Sequence, residues 1–451
     1  MKQLFGTDGI RGIAGEFPLD EKTVSVIGAS LARQLREKLG REPRFISGRD
    51  TRESGGWIET AFHAGAAAEG AVCESAEVIT TPGVAYLARA FDFDAGIVVS
   101  ASHNPFQDNG LKIFSAGGKK IDDATEREIE ADISRANPTD PVPGAGIKTP
   151  STTADTELFR QTYLDHLKRE ANGFSLKGVK IVVDCANGAS SHLAPALFSS
   201  MNANVVVINN RPDGRNINHD CGSLHLQHLQ SRVLEEQAEF GVAFDGDADR
   251  ALFVDENGKI VDGDATLWIL SRYLQDHSKL ANSMVVATVM SNIGLEIALK
   301  SMGIQLLRTD VGDKYVLEKL IETGSEIGGE QSGHIIFPAI TLVGDGMMTA
   351  LLLLRAICEK GVSLSAATVG FVAYPQILLN TKVRDKRPFS DVPEIAEAAS
   401  KVETELNGVG RLLLRYSGTE NLARVMIEGK EQSVIEAQAR RLATVIERAL
   451  G

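Results

Sequence analysis

The chain has 451 residues, of which 43% are hydrophobic and 24% are charged, a balance typical of soluble globular proteins. Its formal net charge of -13 argues against nucleic acid or an anionic membrane as a partner, and at roughly 150 residues per domain its length predicts about three domains. The four cysteines form no CxxC pair, and no apolar run reaches the ~18 residues of a membrane span. Because its beginning also lacks the pattern of a signal peptide, the sequence predicts a cytoplasmic protein with no membrane partner.

Strand and helix patterns alternate through the first third of the chain, which predicts α/β architecture. The opening FGTDGIRG, with three glycines in eight residues and Arg11 near its end, predicts a loop whose backbone approaches a ligand closely. Asp20 is the predicted N-cap of a helix that ends at Gly40. Further predicted elements are a strand at 44–47, a helix at 58–69, a strand at 72–78, a helix beginning near Pro82 and a strand that ends before Ser102.

Residues 137–150 carry four prolines and two glycines and form the clearest predicted linker. The alternation then resumes in two further rounds. The first has predicted helices at 155–171, from 188 and at 225–240, with strands at 180–184, 204–208 and 241–244. The second has helices at 264–277, 292–301, 313–322 and 346–360, with strands at 284–287 and 304–307. A small α+β domain is predicted last, from strands at 376–382, 411–415 and 423–428 and helices at 392–406 and 431–448.

Ser102 lies where a predicted buried strand, residues 97–99, gives way to the polar segment SASHNP. A hydroxyl at the end of a buried strand, followed by a loop with His103 and Lys112, is a candidate nucleophile. Serines are also ordinary turn residues, and from this stretch alone a plain turn is the favoured interpretation. Whether Ser102 is a nucleophile or a plain turn residue therefore depends on the other motifs of the chain.

The segment DGDADR, residues 245–250, is the strongest polar cluster in the sequence. Asp245, Asp247 and Asp249 alternate on a turn between two apolar runs, so their carboxylates can point one way around Mg²⁺. Without a cation the three charges would repel one another, which disfavours a plain acidic surface turn. The sixth position of an EF-hand loop must be glycine and is Arg250 here, so the segment is not a calcium-binding EF-hand.

Two glycine-containing loops offer groups that could bind a sugar phosphate. GGEQSGH, residues 328–334, combines a carboxylate, an amide, a hydroxyl and an imidazole, which suits polar recognition of sugar hydroxyls. RYSGTENLAR, residues 415–424, places Ser-Gly-Thr between two arginines, which fits either an anion-binding turn or a hairpin with solvated arginines. The sequence contains no Walker A, GxGxxG or GxSxG pattern, which disfavours nucleotide binding and a serine-hydrolase elbow.

The chain resembles the α-D-phosphohexomutase superfamily over its whole length, in motifs that occur in the same order: FGTDGIRG, GRDTR, SASHNP with NGLK, DGDADR, GEQSGH and RYSGTE. The resemblance implies three similar α/β/α domains and a smaller C-terminal α+β domain around a central active-site cleft. The implied domains are residues 1–154, 155–254, 255–370 and 371–451. FGTDGIRG and GEQSGH resemble the branch that interconverts glucosamine 6-phosphate and glucosamine 1-phosphate, an isomerase activity that supplies amino-sugar nucleotides and cell-wall precursors. The alternatives are phosphomannomutase or phosphoglucomutase activity and, less favoured, a metal-dependent sugar-phosphate phosphatase.

The resemblance also implies roles for the residues in these motifs. The phosphoserine would be Ser102, and Mg²⁺ would be bound by its phosphoryl oxygen with Asp245, Asp247 and Asp249. The groups implied in proton transfer and in positioning the reacting groups are Lys112, His103, His334 and Arg11. The groups implied in binding the sugar hydroxyls and the non-reacting phosphate are Glu330 and Ser332, then Arg415, Ser417, Gly418, Thr419 and Arg424. Glucosamine 1,6-bisphosphate would be the intermediate and activator, the partner would be a small amino-sugar phosphate, and the resemblance allows a homodimer.

Overall fold

The computed structural model describes residues 3–136, 142, 153–417 and 421–451. Apart from residue 142, the predicted linker at 137–150 lies outside the described residues. The contacts of the chain divide it into two compact units, which are treated separately below. One unit comprises Met1–Met290 and Gln305–Val369, and the other comprises Ser291–Ile304 and Gly370–Gly451.

The first sheet of the larger unit has six strands in the order β1-β2-β6-β5-β3-β4. Its strands are β1 (Phe5–Gly6), β2 (Gly9–Ile13), β3 (Arg44–Arg49), β4 (Val72–Val78), β5 (Ala95–Val99) and β6 (Asp108–Ser115). The accompanying helices are α1 (Glu21–Leu39), α2 (Gly55–Ala68), α3 (Thr81–Ala90) and α4 (Asp123–Arg135). The predicted caps of α1 are confirmed, since the Asp20 side chain accepts from the Thr23 amide and Gly40 ends the helix with a φ of 67°.

Two expectations for this region were wrong. The opening motif is a β-hairpin rather than a loop, and β2 pairs antiparallel with β6 so that Arg11 lies opposite Gly110. Lys112 lies on β6 rather than in a loop. These short strands are rich in glycine and polar residues, so they lack the alternation of apolar residues that marks a strand in sequence. A Cβ at Gly110 would lie 2.6 Å from the carbonyl oxygen of Ser100, so the close strand contact requires glycine there.

The second sheet of the larger unit has five strands in the order β11-β10-β9-β7-β8. Its strands are β7 (Lys180–Asp184), β8 (Asn204–Ile208), β9 (Phe240–Phe244), β10 (Ala251–Asp255) and β11 (Ile260–Val261). Its helices are α5 (Thr153–Glu170), α6 (Ser190–Ser200) and α7 (Gln227–Glu236). Strands β9 and β10 form an antiparallel pair, and the pairing of β10 with β11 extends the sheet past residue 254, where the second domain was predicted to end.

The third sheet of the larger unit has four strands in the order β13-β12-β14-β15. Its strands are β12 (Met284–Thr288), β13 (Gln305–Thr309), β14 (Gly328–Gly329) and β15 (Ile335–Ile336). The helices of this part of the chain are α8 (Gly263–Asp276), α9 (Ile293–Ser301), α10 (Asp313–Thr323), α11 (Gly346–Lys360) and α12 (Leu364–Ala367). The helix α9 belongs to the smaller unit, although it lies between β12 and β13 in the sequence.

The smaller unit is built on a three-stranded antiparallel sheet in the order β16-β18-β17. Its strands and helices are β16 (Gln376–Lys382), α13 (Pro393–Leu406), β17 (Arg411–Tyr416), β18 (Leu422–Glu428) and α14 (Gln432–Leu450). One apolar core, which includes Val425, Ile427 and Leu442, joins the sheet to the helices. The predicted α+β architecture of this segment is confirmed. Of the helices in the described residues, none combines the length and the hydropathy that crossing a bilayer requires.

Candidate active site

Ser102 lies just beyond β5, a strand flanked by β3 and β6 in the six-stranded sheet. Its side chain is fully buried, and its backbone φ of 52° falls in the left-handed region, which residues with a Cβ rarely adopt. The Ser102 Oγ donates a hydrogen bond of 2.5 Å to Asp245 Oδ2. A strained backbone that presents a buried hydroxyl to a carboxylate is typical of a functional site and disfavours the plain-turn interpretation.

Two side chains hold the loop that carries Ser102. Arg52 Nη2 donates to the carbonyl oxygens of Ser102 and Asn104 at 3.2 and 2.5 Å. Asn218 Nδ2 donates to the same two oxygens at 2.9 and 3.0 Å. Arg52 is buried and ion-paired with Asp50, so its own position is fixed. The loop is therefore positioned by groups from both the first and the second sheet regions.

Asp245, Asp247 and Asp249 lie on the tight connection between β9 and β10. All three are buried, and one ligand atom from each lies within 4.8 Å of the others. Among the described residues, no hydrogen-bond donor contacts the buried Oδ1 atoms of Asp247 and Asp249. Burial and the two neighbouring carboxylates raise the pKa of Asp245 well above its usual value. Converging carboxylate oxygens are the ligands that Mg²⁺ prefers, so this donor set fits a divalent cation.

Lys112 places its ammonium group among three carboxylates. Its Nζ lies 2.8 Å from Asp247, 3.1 Å from Asp249 and 3.0 Å from Asp8. Burial lowers the pKa of Lys112, but the three negative charges outweigh burial and raise the pKa well above the usual lysine value. A lysine held protonated has no lone pair, so the geometry favours an electrostatic or proton-donating role over that of a base.

His103 is neutral in this geometry. Arg250 Nη1, which can only donate, lies 3.1 Å from His103 Nδ1, so Nδ1 is the acceptor and the ring proton is on Nε2. Burial and the positive charges of Arg250 and Arg11 lower the pKa of His103 to about 4. The same Nδ1 lies 3.2 Å from Ser102 Oγ. His103 is thus a neutral imidazole whose unprotonated Nδ1 lies within hydrogen-bond distance of the candidate phosphoserine.

His334, at the end of the glycine-containing loop, lies beside the aspartate cluster. Its Nε2 accepts from the Gly344 amide at 3.0 Å, and its Nδ1 lies 3.6 Å from Asp249 Oδ1. Burial lowers the pKa of His334, but the negative charges of Asp249 and Asp313 outweigh burial and raise the pKa from 6.5 to about 9. The Gly344 amide donates to Nε2 in this geometry, so the ring here is neutral with its proton on Nδ1. Protonation of Nε2, which the raised pKa favours, would break this contact.

The carboxylate of Glu330 is oriented by two neighbours. The Gly312 amide donates to its Oε1 at 3.1 Å, and Ser332 Oγ approaches its Oε2 at 3.4 Å. Both Glu330 and Ser332 are partly exposed, unlike the buried His334 at the other end of the loop. The two side chains are thus available to accept and donate hydrogen bonds to a polar ligand.

Asp8 in the opening hairpin connects several of these groups. Its carboxylate is paired with Arg11, and it contacts Lys112 at 3.0 Å and Lys120 at 2.8 Å. Lys120 in turn lies 2.6 Å from Asp313, in the first turn of α10. The ion pairs therefore join the opening hairpin to the metal-type carboxylates on one side and to the third sheet region on the other.

The phosphate-binding candidates lie in the smaller unit. Arg415 on β17 and Arg424 on β18 are directly opposed in the antiparallel register. Ser417 follows β17 and is buried, and its carbonyl oxygen accepts from Lys386 Nζ at 2.7 Å. Directly opposed residues of an antiparallel pair lie on the same face of the sheet, so this register is compatible with two guanidinium groups that bind one anion. The remaining candidates, Gly418 and Thr419, lie outside the described residues.

Four domain families match the chain in sequence order. Their descriptions are phosphoglucomutase/phosphomannomutase α/β/α domain I at residues 2–140, domain II at 161–258, domain III at 262–372 and the C-terminal domain at 378–445. These matches confirm the implied fold class of three α/β/α domains and a C-terminal domain.

Relatives that match the full length of the chain identify its family more specifically than the domain matches do. A phosphoglucosamine mutase of Solibacter usitatus is 47% identical over 450 residues, which cover 100% of this chain and 99% of the relative. One of Caldicellulosiruptor saccharolyticus is 48% identical over 451 residues, with 99% of each chain covered. The chain belongs to the phosphoglucosamine mutase family.

Solved structures show the same fold at lower identity. A phosphoglucomutase/phosphomannomutase family protein of Burkholderia thailandensis has a TM-score of 0.78 and 22% identity, with 100% of this chain and 98% of that one covered. The N-acetylphosphoglucosamine mutase of Aspergillus fumigatus, solved with GlcNAc-6P and magnesium, has a TM-score of 0.68 and 17% identity, with 99% and 96% covered. The phosphoglucosamine mutase family thus shares its fold with mutases of other sugar phosphates.

Sequence reasoning missed several residues at this site of a phosphoglucosamine mutase family member. Asp8 lies within the opening motif FGTDGIRG, but the sequence predicts no role for it or for Asn218, Lys120 and Asp313. Arg52 lies within the motif GRDTR, for which the sequence predicts no role. These residues come from distant parts of the chain and act on one another, so no local pattern marks them; the one local signal was the acid next to glycine in FGTDGIRG.

Proposed function

We propose that this protein interconverts glucosamine 6-phosphate and glucosamine 1-phosphate, with Ser102 as the phosphoryl carrier. The observation that supports this most directly is the buried Ser102 Oγ, 2.5 Å from the first of three converging aspartates. Relatives named phosphoglucosamine mutase match the chain over its full length at 42 to 48% identity. The chain would act as an intramolecular phosphotransferase, an isomerase.

The proposed cycle has two phosphoryl transfers. Phospho-Ser102 gives its phosphoryl group to the free hydroxyl of the substrate, so the bond from phosphorus to Oγ breaks, a bond to the sugar oxygen forms, and the hydroxyl proton passes to a base. The product is glucosamine 1,6-bisphosphate, whose other phosphoryl group then returns to Ser102 Oγ as its bond to the sugar oxygen breaks and that oxygen takes up a proton from an acid. Mg²⁺ held by Asp245, Asp247 and Asp249 would neutralise charge on the transferring group.

Proton transfer and positioning would be divided among the surrounding groups. The low pKa of His103 supports this ring as the base. His334 accepts from Gly344 as a neutral ring but has a raised pKa, so it could act as a base or, once protonated, as an acid. The protonated Lys112 suits an acid or a fixed positive charge. Arg11 would position the reacting groups, as its pairing with Asp8 beside Lys112 suggests.

Substrate binding would use two loops. Glu330 and Ser332 would bind the sugar hydroxyls, since both carry hydrogen-bonding groups that are partly exposed. The non-reacting phosphate would be bound by Arg415, Ser417, Gly418, Thr419 and Arg424. A bidentate guanidinium contact suits a phosphate, and two arginines in register could make one each.

The test is a steady-state assay of the purified, Mg²⁺-supplemented protein with glucosamine 1-phosphate, primed by the 1,6-bisphosphate. We expect isomerisation to the 6-phosphate, a phosphate on Ser102 by phosphopeptide mapping, and loss of turnover in Ser102→Ala by at least 10³-fold. Faster turnover of glucose or mannose phosphates would instead assign a sister activity. Release of inorganic phosphate at the rate of substrate loss would assign a phosphatase, and full activity of Ser102→Ala would overturn the carrier.

We further propose a cytoplasmic location and a homodimer. Four free cysteines, of which Cys73, Cys185 and Cys221 are buried, suit a reducing compartment. Light scattering at micromolar concentration measures the oligomeric state directly, and a monomer mass of 48.4 kDa would contradict the dimer.

A further inference from the structure

Lys112 donates to two carboxylates that a divalent cation would also use. Its Nζ contacts Oδ2 of Asp247 and Oδ2 of Asp249, and the cation site needs oxygens of the same two side chains. An ammonium group and a metal ion bound to shared carboxylates repel each other and compete for the same negative charge. Metal binding must therefore weaken the hold of these aspartates on Lys112.

Asp8 is the third partner of this ammonium and stands apart from the cluster. Its Oδ2 lies 3.0 Å from Lys112 Nζ, while its Oδ1 contacts Lys120. Among the described residues grouped as metal-type ligands, Asp8 is absent. Its carboxylate remains available to Lys112 whatever binds between Asp247 and Asp249.

We propose that Asp8 is a positioning residue. It holds the Lys112 ammonium in place by an ion pair when a divalent cation binds the carboxylates of Asp247 and Asp249. Asp8 thereby lowers the competition between lysine and metal, and it keeps the ammonium beside the aspartate cluster after the metal binds. The inference rests on the metal site of the proposed function. It predicts that loss of the Asp8 carboxylate weakens metal binding, because Lys112 is then left with the metal ligands alone.

The test is a double-mutant cycle in Mg²⁺ affinity, measured by isothermal titration calorimetry with no substrate present. Asp8→Asn should weaken Mg²⁺ binding about tenfold in the wild-type background, as expected for coupled groups in contact. In a Lys112→Met background, the same substitution should change the affinity less than about twofold, since the competing ammonium is gone. Mass spectrometry should first confirm equal phosphorylation of Ser102 in all samples.

Asp313→Asn is the matched control. It removes a carboxylate that contacts Lys120, as Asp8 does, but for which no contact with Lys112 occurs among the described residues. We expect it to change Mg²⁺ affinity less than about twofold. If Asp8→Asn does not fold, Asp8→Ser takes its place with the same expectation.

The outcomes separate the two proposals. If wild type binds no Mg²⁺, the metal site of the proposed function fails. If wild type binds and Asp8→Asn leaves the affinity unchanged, the positioning role fails. An equal weakening in both backgrounds would show that Asp8 acts only as general negative charge, which also overturns the inference.

Discussion

At the scale of single residues, the site depends on how closely two loops approach each other. Gly246, between the first two aspartates of the cluster, packs against the carbonyl group of Ser102. A Cβ at this position would lie 2.5 Å from that oxygen, a distance that real side chains essentially never show. The aspartate loop and the serine loop can meet only because this residue has no side chain.

We therefore expect Gly246→Ala to displace the Ser102 loop and to lower kcat at least tenfold, because small misplacements of reacting groups are costly. The control is Gly56→Ala on α2, where a Cβ would meet nothing within 4 Å. That variant should keep its activity, and its helix should gain up to about 1 kcal/mol of stability. Equal kcat values for the two variants, measured by steady-state kinetics, would contradict the packing argument.

At the scale of elements, helix α11 begins at a buried carboxylate. Asp345 accepts from the Met348 amide at 2.9 Å and from the Tyr163 hydroxyl at 2.8 Å. Burial raises the pKa of Asp345 from 3.8 to about 6, although both hydrogen bonds oppose the shift. The folded state therefore binds this proton more tightly than the unfolded state, and the stability that results is lost as the pH rises through about 6.

Asp345→Asn keeps an N-cap side chain and removes the ionisation. Relative to wild type, its free energy of unfolding should rise by about 2 kcal/mol between pH 4 and pH 7.5, as measured by urea denaturation. Asp122→Asn at the N-cap of α4 is the matched control, since hydrogen bonds from Thr125 lower the pKa of that exposed carboxyl. Its difference from wild type should have the opposite sign, with stability lost at neutral pH.

The helices and the buried strands could be predicted from sequence because their signals are local. In α1 the apolar spacing of Val24, Ile27 and Leu31 is a periodic pattern, and all three side chains are buried. Strands β2 and β6 and helix α4 could not be predicted in this way, because β2 is held by pairing to β6 and α4 buries only Ile129 and Ile133. Packing, rather than local preference, decides these elements.

The candidate site also has a part that local sequence predicts and a part that only folding brings together. The cluster of Asp245, Asp247 and Asp249 is contiguous in sequence, so its convergence could be predicted from spacing alone. The contacts of Asn218 and Lys120 join segments more than a hundred residues apart. Such contacts exist only in the folded chain, and so no spacing rule anticipates them.

At the scale of the whole molecule, metal binding should be linked to stability. A cation that binds the folded but not the unfolded chain raises the free energy of unfolding by mass action. The increase is about 2.7 kcal/mol when the free cation concentration is a hundred times the Kd. Mg²⁺ should therefore raise the melting temperature measured by calorimetry, and a chelator should reverse the increase. Asp247→Asn should remove most of the shift, whereas Asp310→Asn, at an exposed position, should retain it. A shift of the same size in both variants would place the cation elsewhere.

Because α9 belongs to the smaller unit, this unit consists of two separate segments of the chain, and no single boundary in the sequence divides the protein into its two units. The chain passes between the two units three times, at Met290–Ser291, Ile304–Gln305 and Val369–Gly370. The returning segment is held by Asn292, which exchanges hydrogen bonds of 2.9 Å with the backbone of Tyr374. A fragment that begins at Gly370 would therefore lack one of its own helices. Cleavage at an inserted protease site at residue 370 would leave Ser291–Ile304 covalently joined to the larger unit, so only the non-covalent contacts within the smaller unit would hold residues 370–451 to it.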